Sequence, residues 1–83
     1  MNIYIKESVF KDITHITKNK SEQKVIIDRV INLIKSKKYE KLKGKLKEYY
    51  RVRYGEYRAI FCPYKDGFLI LRIAKRQDIY KRE

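Results

Sequence analysis

Cysteine, proline, glycine and tryptophan are scarce or missing in this sequence: one Cys, one Pro, three Gly and no Trp in 83 residues. The single Cys62 excludes an internal disulfide. With the single His15, it also excludes a zinc site built from Cys and His ligands. No apolar run approaches the ~20 residues of a membrane-spanning helix, and no N-terminal stretch has the make-up of a signal peptide. The expected location is therefore the cytoplasm, with no membrane partner, no metal and no cofactor. Internal repeats and low-complexity tracts are missing as well. A chain this short makes one domain, residues 1–83, with a small core.

Acidic residues are the other shortage. The chain has 22 Lys and Arg against 10 Asp and Glu, a formal net charge of +12, and is nevertheless 43% hydrophobic, as a globular domain requires. Residues 1–40 hold 9 basic and 5 acidic side chains, and residues 41–83 hold 13 and 5, so most of the excess lies in the second half. Such a balance implies an acidic partner: nucleic acid, an anionic surface or an acidic protein.

The second half is organised around residues 49–80, YYRVRYGEYRAIFCPYKDGFLILRIAKRQDIY. The stretch predicts three strands, 49–54, 57–63 and 68–74, joined at Gly55-Glu56 and Asp66-Gly67, both two-residue hairpin loops. A loop at 55–56 sets Tyr54 against Tyr57, Arg53 against Arg58, Val52 against Ala59 and Arg51 against Ile60. Alternation then places Tyr50, Val52, Tyr54, Tyr57, Ala59 and Phe61 on one face and Arg51, Arg53 and Arg58 on the other. Arg53 and Arg58 would stand directly opposite, where like charges destabilise a sheet. Folding alone gives no reason for that placement, whereas a bound phosphate does. The same counting from Asp66-Gly67 puts Lys75 on the face of Arg58 and turns Arg76 away unless the strand has ended before it. FLILRIA, 68–74, reads as a central strand covered on both faces. Pro63 suits a bulge or an edge, and Cys62 a small buried hydrophobe.

The first half begins with a strand at Asn2–Ile5. Ser8 is an N-cap candidate for a short helix to about Thr17, with Val9, Phe10, Ile13 and Ile16 at helical spacing. His15, on the opposite side of that helix and without a partner, is given no catalytic role. Ser21 is the N-cap candidate for a second helix, 22–36, with an apolar stripe through Val25, Ile26, Ile27, Val30, Ile31, Leu33 and Ile34. Two helices with a short connection predict an antiparallel pair on one face of a sheet. The first strand closes against the last. Residues 35–47 form a lysine-rich segment with a turn at Gly44. The expected class is α+β, with order β-α-α-β-β-β: two N-terminal helices on a small, twisted, mainly antiparallel four-stranded sheet, then a short basic C-terminal tail.

Strand, two helices, a Leu-x-Gly segment, Arg51-Val-Arg53-Tyr-Gly-Glu-Tyr57-Arg58 and the closing Ile73-Ala-Lys75-Arg76-Gln-Asp-Ile-Tyr80 together resemble the RelE/ParE superfamily of toxins from toxin–antitoxin modules. The resemblance covers nearly the whole chain. It implies a RelE-like fold and one of two activities: mRNA cleavage in the ribosomal A site, or inhibition of DNA gyrase on a nearly identical scaffold. A third alternative is a degenerate toxin that only binds its antitoxin. Fold analogy does not choose among them.

The residues favour RNA. Metal-free cleavage needs a base for the ribose 2′-hydroxyl, cations on the phosphorane and an acid for the leaving 5′-oxygen. By resemblance, Arg51, Arg53 and Arg58 face the scissile phosphate, Arg76 matches a closing-strand arginine, and Tyr80 stacks on a base or moves a proton. An arginine is a poor general base, which leaves Lys75 or Tyr80, with Lys75 first. Tyr49, Tyr50, Tyr54 and Tyr57 read as core or interface residues. The implied partners are mRNA, the ribosome and a RelB-like antitoxin with an acidic, partly disordered segment that folds on binding.

Overall fold

The computed structural model describes residues 1–79. Its elements run β1 (Asn2–Ile5), α1 (Glu7–Ile16), α2 (Lys20–Lys35), β2 (Glu40–Lys41), β3 (Tyr50–Tyr54), β4 (Tyr57–Tyr64) and β5 (Gly67–Lys75), with one turn of 3-10 helix at Gly44–Leu46. The sheet order is β1-β5-β4-β3-β2. β1 is parallel to β5, and the other pairs are antiparallel. The α+β class and the closure of first strand on last are as expected, but the sheet has five strands rather than four. The extra one is the two-residue β2 inside the lysine-rich segment, too short to leave a period-two signal.

The helices form for the reasons their spacing gives, with different caps. α1 buries Val9 and Ile13, and α2 buries Ile26, Val30 and Ile34, each set four residues apart on one stripe. α1 begins at Glu7 after Lys6 with no side-chain cap, so Ser8 lies inside the helix. α2 is capped by Asn19, whose Oδ1 accepts from the Glu22 N–H at 3.0 Å, so Ser21 lies in its first turn. α1 packs over β5 and α2 over β3. Their stripes meet Val52, Ala59, Phe61, Ile70 and Ile73 from the sheet. Tyr39, Tyr50, Phe61 and Phe68 extend this core as a cluster of ring contacts. Tyr54 and Tyr57 also pack on it. Among the described residues, no helix packs on the opposite face of the sheet.

The β3–β4 register is the expected one, Arg53 opposite Arg58 and Val52 opposite Ala59. Gly55 takes a φ of 58°, a left-handed conformation that glycine adopts without cost. The β4–β5 register differs in two ways. First, the loop is Lys65-Asp66, with Lys65 at φ 47° and Tyr64 opposite Gly67. Gly67 is a strand residue, and the physical need for it is close approach: a Cβ there would overlap the backbone carbonyl of Asn2 in β1. Moving the loop by one residue changes partners but keeps faces.

Second, a bulge between Ile60 and Phe61 sets Phe61 against Ile70 but Ile60 against Arg72, leaving Leu71 as the extra residue. That step reverses faces. Ile70 and Ile73 are three apart, and both are fully buried. An unbroken alternation would have put Arg72 on the core face beside Ala59. The bulge puts it on the open side, sparing the buried charge. Asp12 of α1 completes the arrangement by accepting from the Ile73 N–H at 3.2 Å, beyond the point where β1 stops pairing at Ile70.

β5 is consequently covered by helices on one face only, with Leu69, Leu71 and Ala74 half-buried on the other. Cys62 is also half-buried on the open face, not in the core. Pro63 sits past the last β3 partner of β4, where the strand has a free edge and its missing N–H costs nothing.

Candidate anion-binding site

The open face presents an arginine cluster at the end of the sheet nearest the Gly55-Glu56 loop. β3 contributes Arg51 and Arg53, and β4 contributes Arg58. Beyond β5, the Arg76 N–H donates to the Glu56 carbonyl at 2.9 Å, so the chain still follows the ladder one residue past the strand. Alternation from Arg72 and Ala74 keeps Arg76 on the open face. Arg51, Arg53, Arg58 and Arg76, with Ile79, line a concavity of ≈260 Å³. Ile79 is buried and forms its apolar edge.

The two expectations for the closing strand are thus exchanged. Arg76, expected to point away unless the strand had ended, joins the cluster just past the end of β5. Lys75, expected opposite Arg58, is opposite Tyr57, while Ala74 faces Arg58. The bulge at Leu71 is the reason. Lys75 stays close by as a rim residue, lining a second concavity of ≈380 Å³ with Gly55, Glu56, Arg58, Arg76 and Gln77. Tyr80 lies outside the described residues. His15 is exposed on α1, away from the arginine face.

The site also holds a carboxylate that the sequence did not reveal. Glu40, in β2, stands directly opposite Arg51. Its Oε1 accepts from Arg51 Nη2 at 2.5 Å and Nε at 3.0 Å, and lies 3.4 Å from Arg53 Nη2. The hydrogen bond from Arg51, then its charge, holds the Glu40 carboxyl below the usual carboxylate range. It is therefore ionised at neutral pH. Leu33, Lys38, Tyr39, Glu40, Arg51 and Arg53 border a third hollow of ≈460 Å³ that continues the cluster toward β2. The available signal was faint: one Glu inside a lysine run, next to a tyrosine with the core to enter.

Among the described residues, four guanidiniums line or border the site and one carboxylate, Glu40, pairs with two of them. Arg58 donates through Nη1 to the carbonyls of Gly55 at 3.2 Å and Tyr57 at 3.0 Å, so the loop backbone fixes its direction. Burial first, then Arg53, Arg76 and Arg51, push its pKa down. A guanidinium whose charged form is disfavoured by three neighbours of its own sign is a place where a bound anion is stabilised. No group of three or more His, Cys, Asp or Glu suited to a metal ion occurs among the described residues.

No protein-family model matches the sequence, and no curated protein matches it. Solved structures do. A copper-bound mutant toxin from Helicobacter pylori superposes with a TM-score of 0.71 at 18% identity, over 96% of this chain and 99% of that one. A conserved hypothetical protein from Helicobacter pylori gives 0.57 at 16% identity, over 93% and 96%. What these proteins share with the chain is the fold, over nearly its whole length.

Proposed function

We propose that this protein is the toxin of a toxin–antitoxin pair and acts as a metal-independent endoribonuclease that cuts mRNA on the ribosome. The observation that carries the reading is the convergence of Arg51, Arg53, Arg58 and Arg76 on one open concavity, with the carboxylate of Glu40 ion-paired at its border. That donor set answers the needs of 2′-hydroxyl attack. Ionised Glu40 takes the 2′-proton as the oxygen attacks phosphorus. The arginines hold the charge that builds on the phosphorane oxygens, where preorganised donors contribute most. The P–O5′ bond breaks, leaving a 2′,3′-cyclic phosphate and a 5′-hydroxyl. Lys75 lines the hollow beside Arg58, and we assign it donation to the leaving oxygen. We assign the base role to Glu40 rather than to Lys75 or Tyr80, because its carboxylate is ionised and ready to accept a proton.

The antitoxin in this reading is an acidic segment that covers the arginine face with its own carboxylates. The test is a translating extract read by primer extension. Wild-type protein should give new breaks within codons, and Arg58→Ala should give none. Intact message together with blocked supercoiling by purified gyrase would sink the ribonuclease reading in favour of gyrase inhibition.

A further inference from the structure

Three tyrosines with described surroundings lie off the core: Tyr4, Tyr49 and Tyr64. Two are engaged with each other. Tyr4 and Tyr64 meet edge to face with centroids 5.3 Å apart, Lys65 sits over both rings, and the Tyr4 hydroxyl donates to Asp66 at 2.6 Å. Tyr49 makes no ring contact with any described residue and is only half-buried.

Its position is set by the ladder. The Leu42 N–H donates to the Tyr49 carbonyl at 3.0 Å, extending the β2–β3 pairing one step beyond Lys41 opposite Tyr50. Alternation therefore puts Tyr49 on the open face, in the same row as Arg51 and Arg53. Each step of that row is two residues, about 6.6–6.8 Å. Tyr49 borders a concavity of ≈500 Å³ with Lys41, Lys47, Glu48, Tyr50, Cys62 and Pro63. Burial, and next the charge of Glu48, raise the Cys62 thiol pKa, so the floor beside the tyrosine is a neutral thiol.

From this we infer that Tyr49 is the stacking platform of a second subsite, which holds a nucleobase of single-stranded RNA flanking the phosphate at the arginines. The inference rests on the ribonuclease reading and names how its substrate is held. The pieces are those that unpaired RNA requires: an aromatic ring with no ring contact among the described residues, a floor with Cys62 and Pro63, and cations on the rim for the next phosphate. Lys41 and Lys47 supply those cations. Glu48, the one acid in the wall, repels phosphate from the base position and accepts hydrogen bonds from amino groups on a base edge. Strand geometry makes the path continuous, from Arg53 through Arg51 to Tyr49.

The experiment uses fluorescein-labelled 2′-O-methyl RNA, which lacks the attacking hydroxyl and so separates binding from cleavage. Anisotropy is measured with a dinucleotide and a hexanucleotide against wild type, Tyr49→Ala, Tyr49→Phe and Arg58→Ala. Loss of one base–aromatic stack should weaken the hexanucleotide by about tenfold or more in Tyr49→Ala. Tyr49→Phe should bind as wild type does, because stacking needs the ring and not the hydroxyl. The dinucleotide, held at the arginines, should be insensitive to Tyr49 and weakened by Arg58→Ala. A hexanucleotide carrying 2-aminopurine should lose fluorescence on wild type and keep it on Tyr49→Ala, which separates stacking from a folding defect. Equal hexanucleotide affinity for wild type and Tyr49→Ala overturns the subsite, as does equal loss in Tyr49→Phe. So does Tyr49-dependent capture of an acidic peptide without capture of RNA. Cleavage in the translating extract without Tyr49-dependent binding removes the subsite alone. Tyr49-dependent binding without cleavage removes the ribonuclease reading alone.

Discussion

Replacing Arg58 by Met should make the protein more stable while abolishing its activity. Arg58 stands directly opposite Arg53 across β3 and β4, and folding disfavours its charge through burial and then through Arg53, Arg76 and Arg51. Methionine keeps the apolar stem and removes the charge. Relief of the opposed like-charge pair is worth roughly 0.2–1 kcal/mol, and the other two guanidiniums add smaller, solvent-screened contributions. Against this, two hydrogen bonds to the carbonyls of Gly55 and Tyr57 are lost. The Gly55 carbonyl is exposed and returns to water at little cost, while the Tyr57 carbonyl is part-buried and takes back some of the gain. The balance is a gain between zero and about 1 kcal/mol, which in a domain of this size raises Tm by at most about 4–8 °C. Thermal melts by circular dichroism at low ionic strength measure it. The gap should close in molar salt, where the Debye length falls to about 3 Å. Inorganic phosphate should raise the wild-type Tm more than that of Arg58→Met. Cleavage in the extract should fall by about 10²–10³-fold, as when one preorganised donor is removed. A variant that melts lower than wild type at low salt, or a wild-type Tm indifferent to phosphate, would refute the claim that the cluster is strained for want of an anion.

Glu40→Gln separates base from counter-ion. The assigned base predicts a rate loss of about 10²–10⁴-fold together with tighter binding of 2′-O-methyl RNA, because a negative charge leaves the cluster. If rate and affinity rise together in single-turnover assays, Glu40 is only a counter-ion. Gly67→Ala should destabilise the protein by about 1–3 kcal/mol in urea melts, since the new Cβ meets the Asn2 carbonyl. Amide exchange in β1 should quicken most. Asp66 is held below the ordinary carboxylate range, first by the hydrogen bond from Tyr4. A lowered folded pKa gives stability that is full above the unfolded value, about 4, and is lost as pH falls through the folded one. Asp66→Ala should therefore have a flatter acid limb in Tm against pH, with its largest deficit above about pH 4.

Much of the architecture was legible because its causes are local. Gly55-Glu56 between two alternating runs fixes a two-residue loop, and that loop alone brings Arg51, Arg53 and Arg58 to one face. The helix stripes Val9/Ile13 and Ile26/Val30/Ile34 follow from spacing four residues apart. The closing strand misled because two rules competed. Asp66-Gly67 carries a strong turn signal, yet Gly67 is required by the close passage of β1, a contact between residues 65 positions apart. The bulge was foreshadowed by Ile70 and Ile73 flanking Arg72, a spacing of three that no flat strand can bury on one side.

By itself, then, the sequence determined the basic charge, the helix faces and the first hairpin's register, because each depends on neighbours within a few residues. Only the tertiary structure decided that Arg76 rather than Lys75 enters the cluster, since that turns on a bulge steadied by Asp12 from a distant helix. It alone placed Glu40 among the arginines. A two-residue strand has no pattern of its own and exists only because the edge of β3 is there to receive it.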